Sequence, residues 1–433
     1  MTTMTPAAAR RVFLLLTATR WFPVGLVVAV TTLLPLERGL SITQTLTLAS
    51  ITGLVVFALE LPTGGTADAL GRKPVLVAAA AAQVLAATVF AVAQGFWAFA
   101  VAAALTGLFR ALDSGPMEAW FVDTVHASAP GADVDRTLSR QGGVLGASIA
   151  LGALVSGGLM WWHPVTAWNA LTLPYALYAA LAVVHLVMVS VLLKEDRGHT
   201  SALDVSGPVV SGPVVSSPVV SSPVAAIVDG FRLVRADRVL LGLLAVELFW
   251  SAGMVVFEQL MPIRLADMLG SGERSGAVMG VAASVGWGVF ALGASLAGLS
   301  ARRFGVARVA MAARVLNGLG AVWMGLVAGP VALVVAYLVT YGLHGASGPV
   351  YQALLHRQAA PRNRSTVLSM ASMAGFASFA LASPLLGRVS ELFSTPAAMV
   401  TGGAFSIVGV LCFLPALRAE RERVAASGVV ASV

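Results

Sequence analysis

The strongest constraint on the fold is a series of twelve apolar runs, each about as long as a bilayer is thick. A membrane-spanning helix needs roughly 20 mostly apolar residues. Runs of that length lie near residues 12–35, 43–62, 75–94, 96–121, 139–161, 169–193, 239–261, 276–298, 309–328, 331–354, 365–388 and 397–417. The sequence therefore predicts an all-α integral membrane protein with twelve spans, numbered 1 to 12 in chain order, and little chain left for a soluble domain.

The charged residues are few and unevenly placed. Only 11% of the chain is charged, against about a quarter in a soluble protein. When the spans alternate from a cytoplasmic N-terminus, 21 of the 27 lysine and arginine residues fall on the cytoplasmic side, with Arg314 counted among them. This asymmetry follows the positive-inside rule. It places both termini in the cytoplasm and explains the net charge of +7 without a nucleic-acid partner.

One polar connection divides the twelve spans into six and six. It covers residues 194–238 and contains a five-residue repeat that begins SGPVV at Ser206. Regularly spaced proline with serine and glycine favours an extended, mobile linker. We therefore expect four parts: a six-helix bundle over residues 1–193, the linker, a second six-helix bundle over 239–417 and a cytoplasmic tail over 418–433.

A glycine-punctuated stretch between spans 2 and 3 recurs in the second half of the chain. In Gly64 to Lys73, an aspartate follows the first glycine by four residues, a second glycine follows by seven, and a basic pair closes the stretch. The segment that ends at Gly305 repeats this spacing at an offset of 234, with Arg302 in place of Asp68. Two further short segments repeat at offsets of 233 and 228. The sequence thus predicts two parallel copies of a six-span unit.

This pattern resembles the major facilitator superfamily, whose loop between spans 2 and 3 carries the same glycines, aspartate and basic pair. The whole chain is similar in overall pattern to the drug:proton antiporters of that superfamily, except that Gly152 to Gly158 in span 5 lacks their proline. The resemblance implies a conformational latch in which the basic pair contacts a carboxylate at the inner end of span 4. The residues that match this latch are Gly64, Asp68, Gly71, Arg72, Lys73 and Asp123.

Ionisable residues inside the membrane are concentrated in four of the twelve spans. Such a side chain costs about 2.5 kcal/mol or more at the bilayer centre unless it faces a cavity or a partner. Spans 1, 4, 7 and 10 carry nearly all of them, and the resemblance implies that these spans line a central cavity. The residues are Arg20, Arg110, Asp113, Glu118, Glu247, Glu258 and His344. We therefore expect them to surround a cavity between the two bundles.

These charges are predicted to form one layer near the midplane of the membrane. Arg20, Asp113 and Glu247 lie roughly 12 Å from the cytoplasmic ends of their spans, at a rise of about 1.5 Å per residue. Arg110 and His344 lie at roughly 15 Å in a core about 30 Å thick. The two glutamates of span 7 are eleven residues apart. That separation is close to three helical turns, so the two are expected to share a face.

Two interpretations of this layer remain open. In a structural interpretation, Arg20 pairs with Glu247 and Arg110 with Asp113, and the charges hold the two bundles together. In a functional interpretation, a carboxylate takes up a proton and exchanges it against a substrate, and the proton-coupling candidates are Asp113, Glu118 and Glu247. The substrate-cavity candidates are Arg20, Arg110, Trp250, Glu258, Tyr341, His344, Tyr351 and Gln352. For the aromatic residues among them, packing is the alternative.

The sequence favours transport of a small molecule over other functions. It has no GxxxxGK[ST] phosphate-binding loop, and the lone Cys412 gives neither a disulfide nor a metal cluster, so ATP drive, a cofactor and enzyme activity are not indicated. We expect proton-coupled export of an amphiphilic drug-like or secondary-metabolite compound by a monomer. Arginine outnumbers lysine by 25 to 2, which favours a bacterial inner membrane. The alternatives are an uptake symporter and, more remotely, a membrane sensor that does not transport.

Overall fold

The chain folds into helices of membrane-spanning length. A computed structural model describes residues 4–195, 232, 234–359 and 364–430, with only the backbone for residues 61–69, 364–365, 424 and 426–430. The repeat of the predicted linker lies outside the described residues. Within the described part every regular element is helical, and twelve helices are long and apolar enough to cross a membrane, which confirms the predicted fold class. Spans 1 to 12 are Pro6–Val28, Ile42–Glu60, Arg72–Val92, Gly95–Ser128, Asp135–Trp162, Ala170–Leu192, Arg238–Leu269, Gly272–Phe304, Val306–Leu326, Pro330–Gln358, Thr366–Leu392 and Thr395–Arg423.

Several spans begin where a side chain satisfies the free N–H groups of the first helical turn. Before span 2, the Ser41 hydroxyl accepts from the backbone N–H of Gln44 at 3.2 Å, and the Gln44 side chain accepts from the backbone N–H of Ser41 at 3.0 Å. Before span 7, Asp237 accepts from the N–H groups of Val239 and Leu240 at 2.8 and 3.2 Å. A cap of this kind stabilises a helix by about 1 kcal/mol. It also fixes the residue at which the span starts.

The stretch predicted as a ten-residue loop between spans 2 and 3 is mostly helix. The helix of span 2 continues through Ile42–Leu70, and span 3 begins at Arg72, so Gly71 alone separates them. Gly71 has a φ of +90°, a region that favours glycine, and Gly305 occupies the same place in the second half with a φ of +88°. The predicted internal repeat is therefore present in the backbone geometry as well as in the spacing.

Each of these two glycine breaks is covered by a carboxylate from the end of the same half. Glu195 accepts from the backbone N–H groups of Arg72 and Lys73 at 2.6 and 3.1 Å. Glu420 accepts from the first two N–H groups of span 9, both at 3.0 Å. A carboxylate at a helix N-terminus satisfies free donors and is favoured by the helix dipole. These contacts fasten the end of span 6 to span 3, and the end of span 12 to span 9.

Span 12 extends further than the sequence analysis expected. The helix Thr395–Val408 passes through a short 3₁₀ segment, Gly409–Phe413, into a second α-helix, Leu414–Val430. The predicted tail at 418–433 is therefore helical over most of its length. Arginine, glutamate and alanine dominate this segment. Because these residues have high helix propensity and opposite charges three or four apart attract, the helix continues beyond the apolar run.

Two spans are interrupted near their centres. Span 4 consists of Gly95–Leu112 and Pro116–Ser128, separated by a turn in which Gly115 has a φ of +96°. Span 7 contains a π-helical segment, Val256–Leu260, just before Pro262. Proline lacks the N–H that would bond to the carbonyl four residues earlier, which loosens the helix at that point. Both interruptions lie beside ionisable residues of the predicted layer.

The two six-span halves meet at one end of the bundle, which we call the far end because it lies opposite the described ends of the chain. Spans 2 and 11 are joined there by Thr43 N–H to Glu391 at 2.8 Å, and deeper by the Ser50 hydroxyl to the carbonyl of Ala380 at 2.6 Å. Spans 5 and 8 pack closely. A methyl group at Gly157 of span 5 would lie 2.8 Å from a carbonyl oxygen of span 8. The halves are therefore closed against each other at the far end.

Towards the opposite end, which we call the terminal end, the halves separate. Gly143, Gly146 and Gly157 share one face of span 5 because they are 3, 11 and 14 residues apart. A methyl group at Gly146 would still lie 3.6 Å from the Trp287 ring of span 8. At Gly143, and at Gly298 on the matching face of span 8, a methyl group would meet no described atom within 4 Å. The space between the halves therefore opens at the terminal end.

Arg38 ties three segments together at the far end of the first half. Its guanidinium donates to the carbonyls of Phe90, Ala91 and Ala93 at 3.2, 2.7 and 2.6 Å, and to the Thr172 hydroxyl at 3.1 Å. Partial burial lowers the pKa of Arg38. The three carbonyls are the free acceptors at the C-terminal end of span 3, where a cation is also favoured by the helix dipole.

Replacing Arg38 with alanine should lower the stability of the folded protein. The change leaves several half-buried carbonyl groups without a donor, which we expect to cost about 1–3 kcal/mol. The thermal unfolding temperature in detergent measures the effect. Arg388→Ala is the matched control. Arg388 is 63% exposed, and its salt bridge with Glu391 is long, at 3.6 Å. Equal shifts for the two variants would contradict the assigned role of Arg38.

Candidate functional site

The first buried ion pair of the layer joins Arg20 of span 1 to Asp113 at the break in span 4. The two side chains form a salt bridge, and Asp113 is only 3% exposed. The Arg20 guanidinium also lies 4.5 Å from the ring of Trp21 and 5.5 Å from that of Phe109. The predicted pairing of Arg20 with Glu247 is therefore wrong. Arg20 instead pairs within its own half, because the turn after Leu112 brings Asp113 against span 1.

Glu118 lies next to this pair, in the first helical turn of the second part of span 4. The side-chain amide of Gln141, in span 5, donates to it. Its carboxylate is close enough to Arg20 for an electrostatic interaction. The sequence analysis did not single out Gln141, because a neutral side chain near the end of a span gives no signal in a charge inventory.

Arg110 lies between the two halves. Its side chain is exposed although it belongs to the middle of span 4, and its guanidinium lies 5.4 Å from the ring of Phe376 in span 11. Glu60 of span 2 and Glu258 of span 7 are its electrostatic partners. The predicted pairing of Arg110 with Asp113 is wrong. An accessible arginine that faces both halves marks a space between them that solvent can enter.

Glu247 of span 7 is buried in the second half. It interacts with the side chain of Tyr351, whose hydroxyl also donates to the carbonyl of Leu243 at 3.0 Å. A methyl group at Gly375 of span 11 would lie 3.3 Å from its carboxylate. Arg314 is its electrostatic partner, although the described residues form no direct salt bridge between the two.

Arg314 is a buried cation that the sequence analysis misplaced among the cytoplasmic residues. It is 3% exposed, and its guanidinium lies 4.3 Å from the ring of Trp250 and 5.7 Å from that of Tyr351. The helix of span 9 begins at Val306, earlier than expected, so Arg314 lies about 12 Å along it. An arginine this deep cannot reach the membrane surface as easily as one in the first turn.

A cluster of aromatic rings occupies the second half beside these charges, and we call it the aromatic cluster. Its rings have centroids 5.0 to 6.4 Å from their neighbours. Its members are Trp250, Phe257, Trp287, Phe290, Tyr337, Tyr341 and His344. Three of them, Phe257, Tyr337 and Tyr341, are buried, and the other four are half-buried.

Glu258 sits at the edge of the aromatic cluster, in the π-helical segment of span 7. The Tyr341 hydroxyl lies within hydrogen-bonding range of its carboxylate. The regular helical phase does not continue through a π-helical segment. Glu258 has different partners from Glu247, and the common face of the two stays a prediction. Among the remaining cavity candidates, Tyr351 is buried and Gln352 is exposed.

Of the predicted latch, the structure brings Arg72 and Asp123 together. They form a salt bridge in which Asp123 stays 65% exposed. Lys73 contributes a backbone N–H to Glu195. For Gly64 and Asp68 only the backbone is described, so the predicted contacts of Asp68 lie outside the described side chains. The sequence analysis missed Glu195, because it follows the last apolar run and resembles an ordinary linker charge.

Comparisons with known proteins agree with this architecture. The sequence model of the Major Facilitator Superfamily matches residues 13–290 and 274–431. No curated protein sequence matches the chain. Among solved structures, a mutant of the nucleoside transporter NupG is similar over 94% of this chain and 99% of its own, with 14% identity and a TM-score of 0.76.

Two further solved structures have similar folds. A mutant of the peptide transporter POT in complex with sulfate is similar over 95% of each chain, with 17% identity and a TM-score of 0.69. The human organic anion transporter MFSD10 (TETRAN) is similar over 94% of this chain and 99% of its own, with 16% identity and a TM-score of 0.59. At these identities the likeness concerns the fold alone.

Proposed function

Because this chain belongs to the major facilitator superfamily, we propose that it exports a small amphiphilic compound across a bacterial inner membrane in exchange for protons. The chain is a secondary transporter of the major facilitator type. What we propose beyond this is the direction of transport, the class of compound, the coupling ion and a monomeric state.

The observation that carries the proposal is a pair of carboxylates buried among the membrane-spanning helices. Asp113 and Glu247 are both buried, one in each half, and neither is needed to join the halves, since the partners of each lie in its own half. A buried ion pair contributes little net stability compared with apolar packing. Intramembrane acids of this kind are typical of proton relays. We therefore assign the proton to Asp113 and Glu247, with Glu118 as a further carrier.

In this proposal the protein works by alternating access, in which one end of the central space is closed while the other is open. The far end is closed by contacts between spans 2 and 11 and between spans 5 and 8, while the terminal end is open. The distribution of basic residues favours a cytoplasmic terminal end, and moving Arg314 out of that count leaves 20 of 27 there. In this interpretation the structure is an inward-open state, ready to take a compound from the cytoplasm.

We assign Arg72, Asp123 and Asp68 to the conformational latch at the cytoplasmic end. Arg72 and Asp123 are in contact across spans 3 and 4. Glu195 holds the start of span 3 next to them. The contact is exposed, so it contributes only about 0–1 kcal/mol to stability. A weak, reversible contact suits a latch that must open in every cycle.

Replacing Arg72 with alanine should slow transport without unfolding the protein. A loss of about 0–1 kcal/mol from one conformation changes the balance of states by up to about fivefold. We expect the maximal transport rate to fall by about two- to fivefold, with little change in the half-saturating substrate concentration. The charge-exchanged double variant, Arg72→Asp with Asp123→Arg, should recover part of the rate. A double variant slower than both single variants would argue against the latch.

Accumulation of labelled compounds by cells tests the direction of transport. Cells that overproduce the protein are compared with cells that lack it, over a compound panel, with and without a protonophore. Export predicts lower accumulation and higher resistance in the overproducing cells, and the protonophore should remove the difference. Net uphill uptake would overturn the export proposal.

The second candidate function is proton-coupled uptake of a small solute. It is favoured by the missing proline between Gly152 and Gly158, since the antiporters that the chain resembles carry one in this segment. In the structure this segment packs span 5 against span 1 at Gly152 and against span 8 at Gly157. A membrane sensor that does not transport is a third candidate, and any gradient-dependent flux in the assay would eliminate it.

A further inference from the structure

A groove on the outside of the first half opens between spans 1, 5 and 6. Its volume is about 420 Å³, which lies in the range of about 300–1,000 Å³ typical of small-molecule sites. Spans 5 and 6 both pack against span 1 but have few contacts with each other, so a gap remains between them. All of the lining residues belong to the first half, which separates the groove from the space between the halves. They are mostly apolar and include Ala18, Phe22, Ala147, Leu151, Leu181 and Val184.

The groove faces the lipid of the membrane. Leu151 and Val184 are 54% and 49% exposed. Leu151 lies about 24 Å along span 5 from the terminal end, and Val184 lies about 12 Å along span 6 from the same end. Both depths fall within a hydrocarbon core about 30 Å thick. The hydroxyl of Thr19, which also lines the groove, is hydrogen-bonded to Nδ1 of His185 at 2.9 Å. The groove therefore offers a mostly apolar wall to an acyl chain.

Span 1 places a positive charge at the terminal-end mouth of the groove. Arg11 is exposed, and Ala18 and Phe22 follow it by seven and eleven residues. These separations are close to two and three helical turns, so the three side chains share one face of the helix. Along the helix axis, Ala18 lies about 11 Å beyond Arg11, and Phe22 lies about 17 Å beyond it.

Span 5 places a second positive charge at the same mouth. Arg140 is exposed, and Ala147 and Leu151 follow it by seven and eleven residues on one face. The starts of the two spans are held together, because the Arg10 guanidinium donates to the carbonyl of Asp133 at 3.2 Å. The carboxylate of Asp133 is occupied locally, since it accepts from the backbone N–H two residues further on at 2.9 Å. Two exposed guanidinium groups therefore lie near each other above an apolar groove.

We propose that this groove holds one acyl chain of an anionic phospholipid, whose phosphate group lies between Arg11 and Arg140. Basic pockets between membrane helices bind anionic lipid headgroups on the cytoplasmic side. A chain that extends from the phosphate meets the apolar lining about 11–17 Å deeper, which matches one leaflet of a core about 30 Å thick. The site depends neither on the transported compound nor on the coupling ion.

Native mass spectrometry of the purified, delipidated protein in detergent tests this site, because it resolves individual bound lipids. The probes are dioleoyl phosphatidylglycerol and dioleoyl phosphatidylcholine, which have the same chains and differ in net charge. We expect the first phosphatidylglycerol to bind about 5- to 25-fold more tightly than the first phosphatidylcholine. Arg11→Gln and Arg140→Gln should each weaken phosphatidylglycerol binding about fivefold and leave phosphatidylcholine binding unchanged.

A larger side chain in the groove tests where the acyl chain lies. Ala147 is an exposed lining residue, so Ala147→Trp fills the groove without displacing a buried side chain. Each methylene group that loses its apolar contact lowers the affinity, and we expect binding of both lipids to weaken by about tenfold or more. The arginine variants and the tryptophan variant thus report on the headgroup and the chain separately.

Two matched variants control for general effects of the substitutions. Arg308→Gln removes an exposed arginine at the terminal end of span 9, in the other half. Ala78→Trp adds a ring at an exposed position of span 3, on the face that carries the exposed Leu85. Both variants should bind the two lipids like the unchanged protein.

Three results would overturn the lipid site. They are equal affinities of the unchanged protein for the two lipids, unchanged phosphatidylglycerol binding in both arginine variants, and unchanged binding of both lipids in Ala147→Trp. The first of these needs no variant. None of them bears on the direction of transport or on proton coupling, so the lipid site and the proposed function can fail independently.

Discussion

Glu247→Gln and Asp113→Asn are each expected to abolish gradient-driven transport while the protein still inserts into the membrane. The amide side chains keep the shape of the acids but cannot carry a proton at physiological pH. Coupling therefore fails, whereas exchange of substrate across the membrane without a gradient continues. Transport driven by a pH gradient, compared with equilibrium exchange in proteoliposomes, measures the difference.

The two variants differ in their expected effect on stability. Asp113→Asn leaves Arg20 buried without its counter-charge, which costs about 3–5 kcal/mol when a buried pair loses one partner. The double variant Arg20→Gln with Asp113→Asn removes both charges and should recover most of that loss, but not the coupling. Glu247→Gln breaks no direct salt bridge among the described residues, so its unfolding temperature should change less. Gradient-driven transport that persists in both single variants would show that the proton is carried elsewhere.

Gly157→Leu is expected to slow the cycle by hindering closure of the far end. Even a single methyl group at this position would lie 2.8 Å from the carbonyl oxygen of Ala277 and 3.2 Å from the Cα of Gly280, both in the other half. A leucine side chain is larger still. Forcing extra atoms into such a contact costs about 1–3 kcal/mol. The balance between closed and open far ends should therefore shift by about 5- to 150-fold. Transport should fall accordingly.

Gly158→Leu is the matched control, since a methyl group at Gly158 would meet no described atom within 4 Å. Spin labels at Gln94 and Ala328, on far-end connections of the two halves, report the separation of the halves. Cys412 is the chain's one cysteine, so a Cys412→Ser background makes the labels specific. The label distance should increase in Gly157→Leu and stay unchanged in Gly158→Leu. No increase in Gly157→Leu would mean that this contact does not close the far end.

The architecture could be predicted from the sequence because membrane physics leaves strong signals. A span needs a long apolar run, so twelve runs predicted twelve helices. The glycine spacing around Gly71 and Gly305 predicted a repeat that reappears in their backbone angles. The depths of the intramembrane charges were likewise inferred by counting residues along each helix, and the layer stays a prediction. Each of these inferences depends on local sequence or on regular helix geometry.

The partners of those charges could not be predicted in the same way. The counts placed Arg20, Asp113 and Glu247 at one depth, but depth does not say which side chains face each other. Arg20 meets Asp113 because span 4 breaks at that residue. The π-helical segment before Pro262 interrupts the regular helical phase between Glu247 and Glu258. Both irregularities depend on a single proline or glycine, whose local effect varies with its tertiary surroundings.

Two features were missed, the second only in part, because most of their residues looked ordinary in the sequence. Arg314 was taken for a surface residue near a helix end, yet Trp250 and Tyr351 hold it inside the second half. The aromatic cluster comes from spans 7, 8 and 10, and its members are far apart in the chain. The sequence analysis named Trp250, Tyr341 and His344 as cavity candidates. It missed the other four rings, because single aromatic residues give little signal in a chain with 58% hydrophobic residues.

The most direct test of proton-coupled export is transport by proteoliposomes under an imposed pH gradient, with the membrane potential clamped. The substrate is a labelled compound that the cell assay has identified. An antiporter moves its substrate against the proton flow, so the result does not depend on the orientation of the protein in the vesicles. We predict accumulation when the interior is acidic, and none in Glu247→Gln. Accumulation only when the exterior is acidic, or accumulation that ignores the gradient, would contradict the account.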